Sequence, residues 1–153
     1  MTATNHEKRQ AWMSTLAKAE PTHLAKLFDT LGSDVGYSDL RKAETGLVMV
    51  RGKSGGVGNQ FNLGEMTVTR GAVRLESGET GLSYVAGRDK KHAELAAVVD
   101  GLMQNSEWRE RADDAVIKPL QSAYEEKQQQ VLRQRAATRV DFFTMTRTRE
   151  DKK

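Results

Sequence analysis

Residues 46–87 read GLVMVRGKSGGVGNQFNLGEMTVTRGAVRLESGETGLSYVAG, and the way this glycine-rich stretch divides decides the fold. MTVTRGAVRLE at 66–76 is β-branched and alternating, SGETG at 77–81 is turn-forming, and LSYVAG at 82–87 resumes strand character, so this part reads as a hairpin. Upstream, YSDLR at 37–41 and LVMVR at 47–51 are short strand candidates separated by KAETG. GKSGGVGN at 52–59 reads as a loop, because Gly52, Gly55, Gly56 and Gly58 leave the backbone too free for a regular element. The expectation is an antiparallel sheet of about four strands over 37–87. Within it, Met66 and Val68 share one face and Val73 and Leu75 the other if the alternation is unbroken. A bulge at or beside Gly71 would bring both pairs to one face; a strand covered on both sides is the rival reading.

Helical periodicity flanks the sheet. Asn5 is placed to cap a helix that carries Trp12, Met13 and Leu16 on one side. Pro21 suits the first turn of a second helix, along which Leu24, Leu27, Phe28 and Leu31 fall at i, i+3, i+4 and i+7 before Gly32 stops it. Residues 1–32 thus read as a helical hairpin. After the sheet, Asp89 can cap a helix through Met103 whose Ala93, Ala96, Ala97, Val99 and Leu102 form a broad apolar side, and Ser106 can cap a longer one. Pro119 predicts a kink or local break near Val116–Pro119. Beyond Tyr124 the helical sequence has almost no apolar face, so it either projects into solvent or lies along another subunit. Residues 89–139 are read as helices, and VDFFTMT, with Phe142, Phe143 and Met145, predicts a docking segment over 140–153. The fold class is α+β, and 1–153 reads as a single domain.

Composition narrows the functions. The 153 residues are 37% hydrophobic and 6% aromatic, a lean core that a partner's surface would complete. The absence of cysteine excludes disulfides, thiolate zinc sites, iron–sulfur ligation and cysteine nucleophiles on this chain. No segment has the apolar length of a secretory signal, roughly 7–15 residues, or of a membrane span, roughly 20, so a cytoplasmic protein without membrane contact is expected. Of the net charge of +3, residues 37–91 supply all, with nine Lys/Arg against six Asp/Glu. That excess suits a phosphate-bearing small molecule or an acidic partner, and falls short of a nucleic-acid stripe.

GKS at 52–54 invites comparison with a phosphate-binding loop, but Gly46 and Gly52 are separated by five residues rather than four, those residues read as a strand, and no helix follows. Two readings remain: a flap carrying Arg51, Lys53 and Ser54 that closes on a phosphate or phosphonate, or an interface loop ordered by a partner. Arg70 adds to the basic middle. Arg88, Lys90 and Lys91 crowd a helix start, where the helix dipole disfavours cations, so an anionic ligand or simple hydration relieves them. His6, His23 and His92 read as surface residues with no ligand spacing, Glu65 and Glu94 are not brought together by spacing, and no catalytic set or metal site is assigned.

RQAWMSTLAKAEP at 9–21, AETGLVMVRGKSGGVGNQFNLGEMTVTRGAVRL at 43–75, YVAGRDKKHAEL at 84–95 and RVDFFTMTR at 139–147 together resemble the G subunit of the bacterial carbon-phosphorus lyase system, the PhnG family of phosphonate metabolism. The resemblance covers nearly the whole chain in order; the loop reads GGVG at 55–58, with Val57 where the family pattern has threonine. It implies a cytoplasmic core complex with H, I and J subunits in which G and I form the centre. It further implies that, with H, I and L components, the chain is needed to displace adenine from ATP by methylphosphonate, giving α-D-ribose 1-methylphosphonate 5-triphosphate. The I subunit would be the chemical centre and most direct partner, and the iron–sulfur and S-adenosylmethionine chemistry would belong to J. No cofactor is expected on this chain, ATP being a substrate of the complex, and no catalytic activity is expected of the chain alone. The alternatives are a non-catalytic scaffold or a free-standing phosphate- or nucleotide-binding domain.

Overall fold

The computed structural model describes residues 5–32, 35–55 and 58–138. Helices α1 (Asn5–Lys18) and α2 (Pro21–Asp29) precede strands β1 (Tyr37–Lys53), β2 (Gln60–Leu75) and β3 (Thr80–Ala86). Helix α3 (Lys90–Gln104), the single turn α4 (Arg109–Ala112), a π-helical turn at Asp113–Ile117 and helix α5 (Lys118–Ala137) follow. The chain is α+β, with an antiparallel sheet in the order β1-β2-β3.

The local signals act where the residues place them. Glu20 caps α2 by accepting from the His23 N–H at 2.8 Å, with Pro21 in the first turn, and Gly32 ends the segment at a φ of 94° that favours glycine. Asp89 caps α3 by accepting from the His92 N–H at 2.9 Å. The break foreseen near Pro119 is the π turn that ends at Ile117, immediately before Pro119 enters the first turn of α5. The cap expected from Ser106 comes instead from Asn105, whose Oδ1 accepts from the N–H groups of Glu107 and Trp108 at 2.8 and 3.1 Å.

The sheet has three strands rather than four. YSDLR and LVMVR are parts of one strand, because KAETG is absorbed by irregular pairing instead of forming a turn. Leu40 is unpaired between Asp39 and Arg41, and Lys42 and Ala43 together oppose Gly71. The bulge beside Gly71 therefore lies on β1. Strand β2 runs in unbroken register with β3 from Val68–Ala86 to Arg74–Thr80. Its alternation is preserved: Thr69, Gly71, Val73 and Leu75 are buried on one face, while Val68 is buried on the other and Met66 is exposed. The GKSGGVGN loop is shorter than expected, since pairing continues to Lys53–Gln60.

Helix α3 is the centre of the molecule. From His92 to Met103 only Glu94 is not buried, which marks a helix covered on all sides. The sheet lies beneath it, α1 and α2 pack against it, and Val116, Ile117 and Leu120 complete the same cluster. A Cβ on Gly81 would lie 1.8 Å from the Ala97 carbonyl oxygen, so β3 approaches α3 at a distance only glycine permits. His92, expected at the surface, is buried beneath the end of α1, its Nε2 2.8 Å from the Leu16 carbonyl oxygen.

Asp100 is fully buried in the middle of this arrangement. Arg9 donates to both carboxylate oxygens, from Nε at 3.2 Å and Nη2 at 2.7 Å; Trp12 Nε1 donates at 2.8 Å and the Leu82 N–H at 2.9 Å. Gln104 Nε2 adds a longer bond of 3.3 Å. These donors come from α1, β3 and α3, so one carboxylate joins three elements. Asp100→Ala leaves the Arg9 charge, the indole N–H and a strand amide without their acceptor, and should cost about 3–5 kcal/mol in urea unfolding; a midpoint equal to that of the parent chain would refute this role.

Candidate functional site

Strand β3 pairs with β2 only as far as the Val68–Ala86 row, whereas β1 and β2 continue together to Lys53–Gln60. Residues 47–53 and 60–67 therefore form a two-stranded ribbon beyond the third strand. At about 3.3 Å per residue, the eight steps from Val68 to Gln60 extend it by roughly 25 Å. Its large apolar side chains face water: Leu47 is 62% exposed, Met49 51%, Phe61 45%, Leu63 66% and Met66 43%. A two-stranded hairpin without further cover is marginally stable in water, and a concentration of large exposed apolar side chains marks a surface that meets another molecule; here Leu47 and Met49 lie on one face of the ribbon, and Met66, opposite Val48, and Phe61, opposite Gly52, on the other.

Arg51, Lys53 and Ser54 are brought together at the ribbon tip, all exposed. The turn there is tight. The Gly58 N–H donates to the carbonyl oxygens of Ser54 and Gly55 at 3.0 and 3.2 Å, and a Cβ on Gly58 would lie 2.1 Å from the Ser54 oxygen. That amide is thus committed within the turn rather than offered to a phosphate.

Arg88 and Lys90 lie together at the ribbon base, where the Gly87 N–H donates to the Thr67 carbonyl oxygen at 2.9 Å. The seven steps from the Thr67 row to the Gln60 row separate this group from the tip by roughly 20–25 Å. Arg70 stands apart from both, its Nε 2.9 Å from Glu44 Oε1. The cation crowding at the α3 start is relieved by the Asp89 cap and by Glu94, which lies 3.4 Å from Lys91 Nζ. Glu94 also accepts from the Tyr37 hydroxyl at 2.6 Å; this bond, followed by burial, pushes the Tyr37 phenol up to about 12. Among the described residues, no group of three or more His, Asp or Glu is placed to hold a metal ion, and no helix is long and apolar enough to cross a membrane.

A family model described as phosphonate metabolism protein PhnG matches residues 7–148. The chain belongs to the PhnG family. A curated relative from Rhizobium meliloti (strain 1021), named alpha-D-ribose 1-methylphosphonate 5-triphosphate synthase subunit PhnG, is 41% identical over 140 residues, covering 92% of this chain and 89% of the relative. In this PhnG-family chain the ribbon is the feature that charge-based reading of the sequence missed. The available signal was the density of Leu, Met and Phe in 47–66. The docking segment expected at 140–153 lies outside the described residues.

The Tyr37–Glu94 pair carries a pH signature. Because the folded phenol is raised above its ordinary value of 10.0, the stabilisation it supplies is complete below pH 10 and is lost as pH rises through about 12. Ultraviolet titration should show a tyrosinate phase near that upper value that Tyr37→Phe removes; an unchanged titration curve in the variant would rule the pair out as its source.

Proposed function

We propose that this chain is a subunit of an α-D-ribose 1-methylphosphonate 5-triphosphate synthase that works in the cytoplasm, without catalytic activity on its own. In this reading it acts with H, I and L components to transfer the ribose triphosphate moiety of ATP to methylphosphonate, releasing adenine. The I subunit is its most direct partner, H and J share the core complex, and ATP is a substrate of the assembly rather than a cofactor of this chain. The observation that carries the reading is the ribbon at 47–53 and 60–67: Leu47, Met49, Phe61, Leu63 and Met66 need cover that the described residues do not give. The name of the Rhizobium relative, a synthase subunit, supports the same role.

Substrate contact then falls at the boundary with the neighbouring subunit. Arg51, Lys53 and Ser54 would present two positive charges and a hydroxyl to the triphosphate or the phosphonate, both anionic. Arg70, Arg88 and Lys90 would serve the partner surface, since the fold holds them away from the tip. The tight turn at Ser54–Gly58 favours a second reading, a purely scaffolding tip, which the same experiment separates.

The chain, co-expressed with the H, I and J subunits of the same source and supplemented with L, should elute as one assembly that releases adenine from ATP when methylphosphonate is added. Lys53→Ala should leave assembly intact and lower kcat/KM for adenine release about 10–100-fold, the loss expected for one charge-assisted hydrogen bond, while Arg88→Ala should change turnover little. Full turnover in both variants leaves the scaffold reading; failure to assemble at all overturns the subunit assignment.

A further inference from the structure

The backbone groups of β3 point alternately toward β2 and away from it. The Glu79 carbonyl and Gly87 N–H bond to β2, at Leu75 and Thr67, which fixes the odd-numbered residues as inward and Thr80, Leu82, Tyr84 and Ala86 as outward. The first half of this outer edge is closed by α3. Gln104 Nε2 donates to the Thr80 carbonyl at 2.9 Å, and the Leu82 N–H donates to Asp100 Oδ2 at 2.9 Å. The second half is open: the Leu82 carbonyl, the Tyr84 N–H and carbonyl and the Ala86 N–H have no partner among the described residues.

These groups border a cleft of about 700 Å³ between β3 and α1, walled by Arg9, Met13 and Ala17 on the helix and by Leu82, Tyr84 and Val85 on the strand. Arg9, held by Asp100, stands at the closed end. Proteins blunt an exposed edge with lysine, proline or a bulge; Leu82–Ala86 holds none of these, and its register with β2 is regular. An alternating row of acceptor, donor, acceptor and donor at strand spacing is matched by an extended backbone rather than by a compact solute.

We propose that Leu82–Ala86 receives a β-strand from another subunit, which adds to the sheet as its fourth strand in the cleft beside α1, with small or apolar side chains directed at Met13 and Ala17. The site rests on the subunit reading above, and it is continuous with the ribbon, whose base begins at the Val68–Ala86 row. The added strand ends where Asp100 and Gln104 already hold the edge.

Hydrogen exchange on the full chain, alone and in the assembly co-expressed with the H, I and J subunits, tests this. The amides of Tyr84 and Ala86 should slow at least about tenfold on assembly, while those of Ser83 and Val85, already paired with β2, are protected in both states. Tyr84→Pro removes an outward N–H without touching the β2 ladder, and should weaken assembly at least about tenfold with thermal unfolding of the free chain close to that of the parent. Tyr84→Ala, which keeps the N–H, should retain protection at position 84. An assembly that forms with Tyr84 and Ala86 exchanging as in the free chain overturns the strand site and leaves the subunit reading standing. The site also falls if protection appears only through concentration-dependent self-association. Absence of any assembly removes both. Should Tyr84→Pro fail to fold, the exchange comparison in the parent chain decides alone.

Discussion

The Asp100 carboxylate, out of reach of water, accepts hydrogen bonds from helix α1, strand β3 and its own helix α3. An unpaired buried carboxylate is several kcal/mol too costly to keep, so the arrangement holds only with all of its donors in place. Apolar packing of α1 on α3 through Leu16 and the α3 alanines would tolerate sliding and rotation. The two-pronged grip of Arg9 and the fixed direction of the Trp12 N–H do not. The consequence reaches the surface, because the same carboxylate takes the Leu82 N–H and so determines where the sheet edge is closed.

That bond requires close approach. Gly81 lets β3 come against the backbone of α3 at Ala97 and Gly101, and Gly101 in turn leaves room for Leu75, whose side chain would lie 3.1 Å from a Cβ there. With side chains at these positions the helix would stand further off, and Asp100 could not reach a strand amide at 2.9 Å. Small residues and one buried charge thus act together: the first set the distance, and the second fixes the registration of helix against strand. A helix apolar on nearly every side, as α3 is, needs such a device, since burial alone does not choose among its rotations.

What was legible in the sequence was local. Asp89, Pro21, Gly32 and Pro119 announce the ends and breaks of helices because each acts on the backbone next to it, and MTVTRGAVRLE declares its strand by period. What was hidden depends on distant partners. KAETG has the composition of a turn, yet a long antiparallel neighbour holds it in a strand by bulging at Leu40 and at Lys42–Ala43. His92 looked like a solvated first-turn residue because nothing local shows that α1 ends above it. Asp100 did leave a trace, a single acid within AAVVDGLM, which is where a buried and satisfied charge would be sought. The sign of a charge carries no distance: Lys53 and Arg88 belong to one basic stretch in sequence and to opposite ends of a ribbon in space.

The unequal strands explain why the molecule divides into two parts. Strands of 17 and 16 residues are joined by a third of only 7, so the sheet is complete at one end and two strands wide at the other. At the complete end every device is internal: Gln104 and Asp100 hold the edge, α3 covers one face, and Arg9 closes the groove. At the other end the open half-edge and the bare ribbon meet at the Val68–Ala86 row. A partner that adds a strand to β3 is thereby carried along the direction in which the ribbon projects, and could cover its apolar residues with the same body. Backbone pairing would set the register of such a partner, and the ribbon's side chains would supply the apolar area, which directional hydrogen bonds alone do not provide. The Asp100 linkage belongs to the chain itself, and it positions, at its boundary, the surface that in the proposed assembly belongs to another subunit.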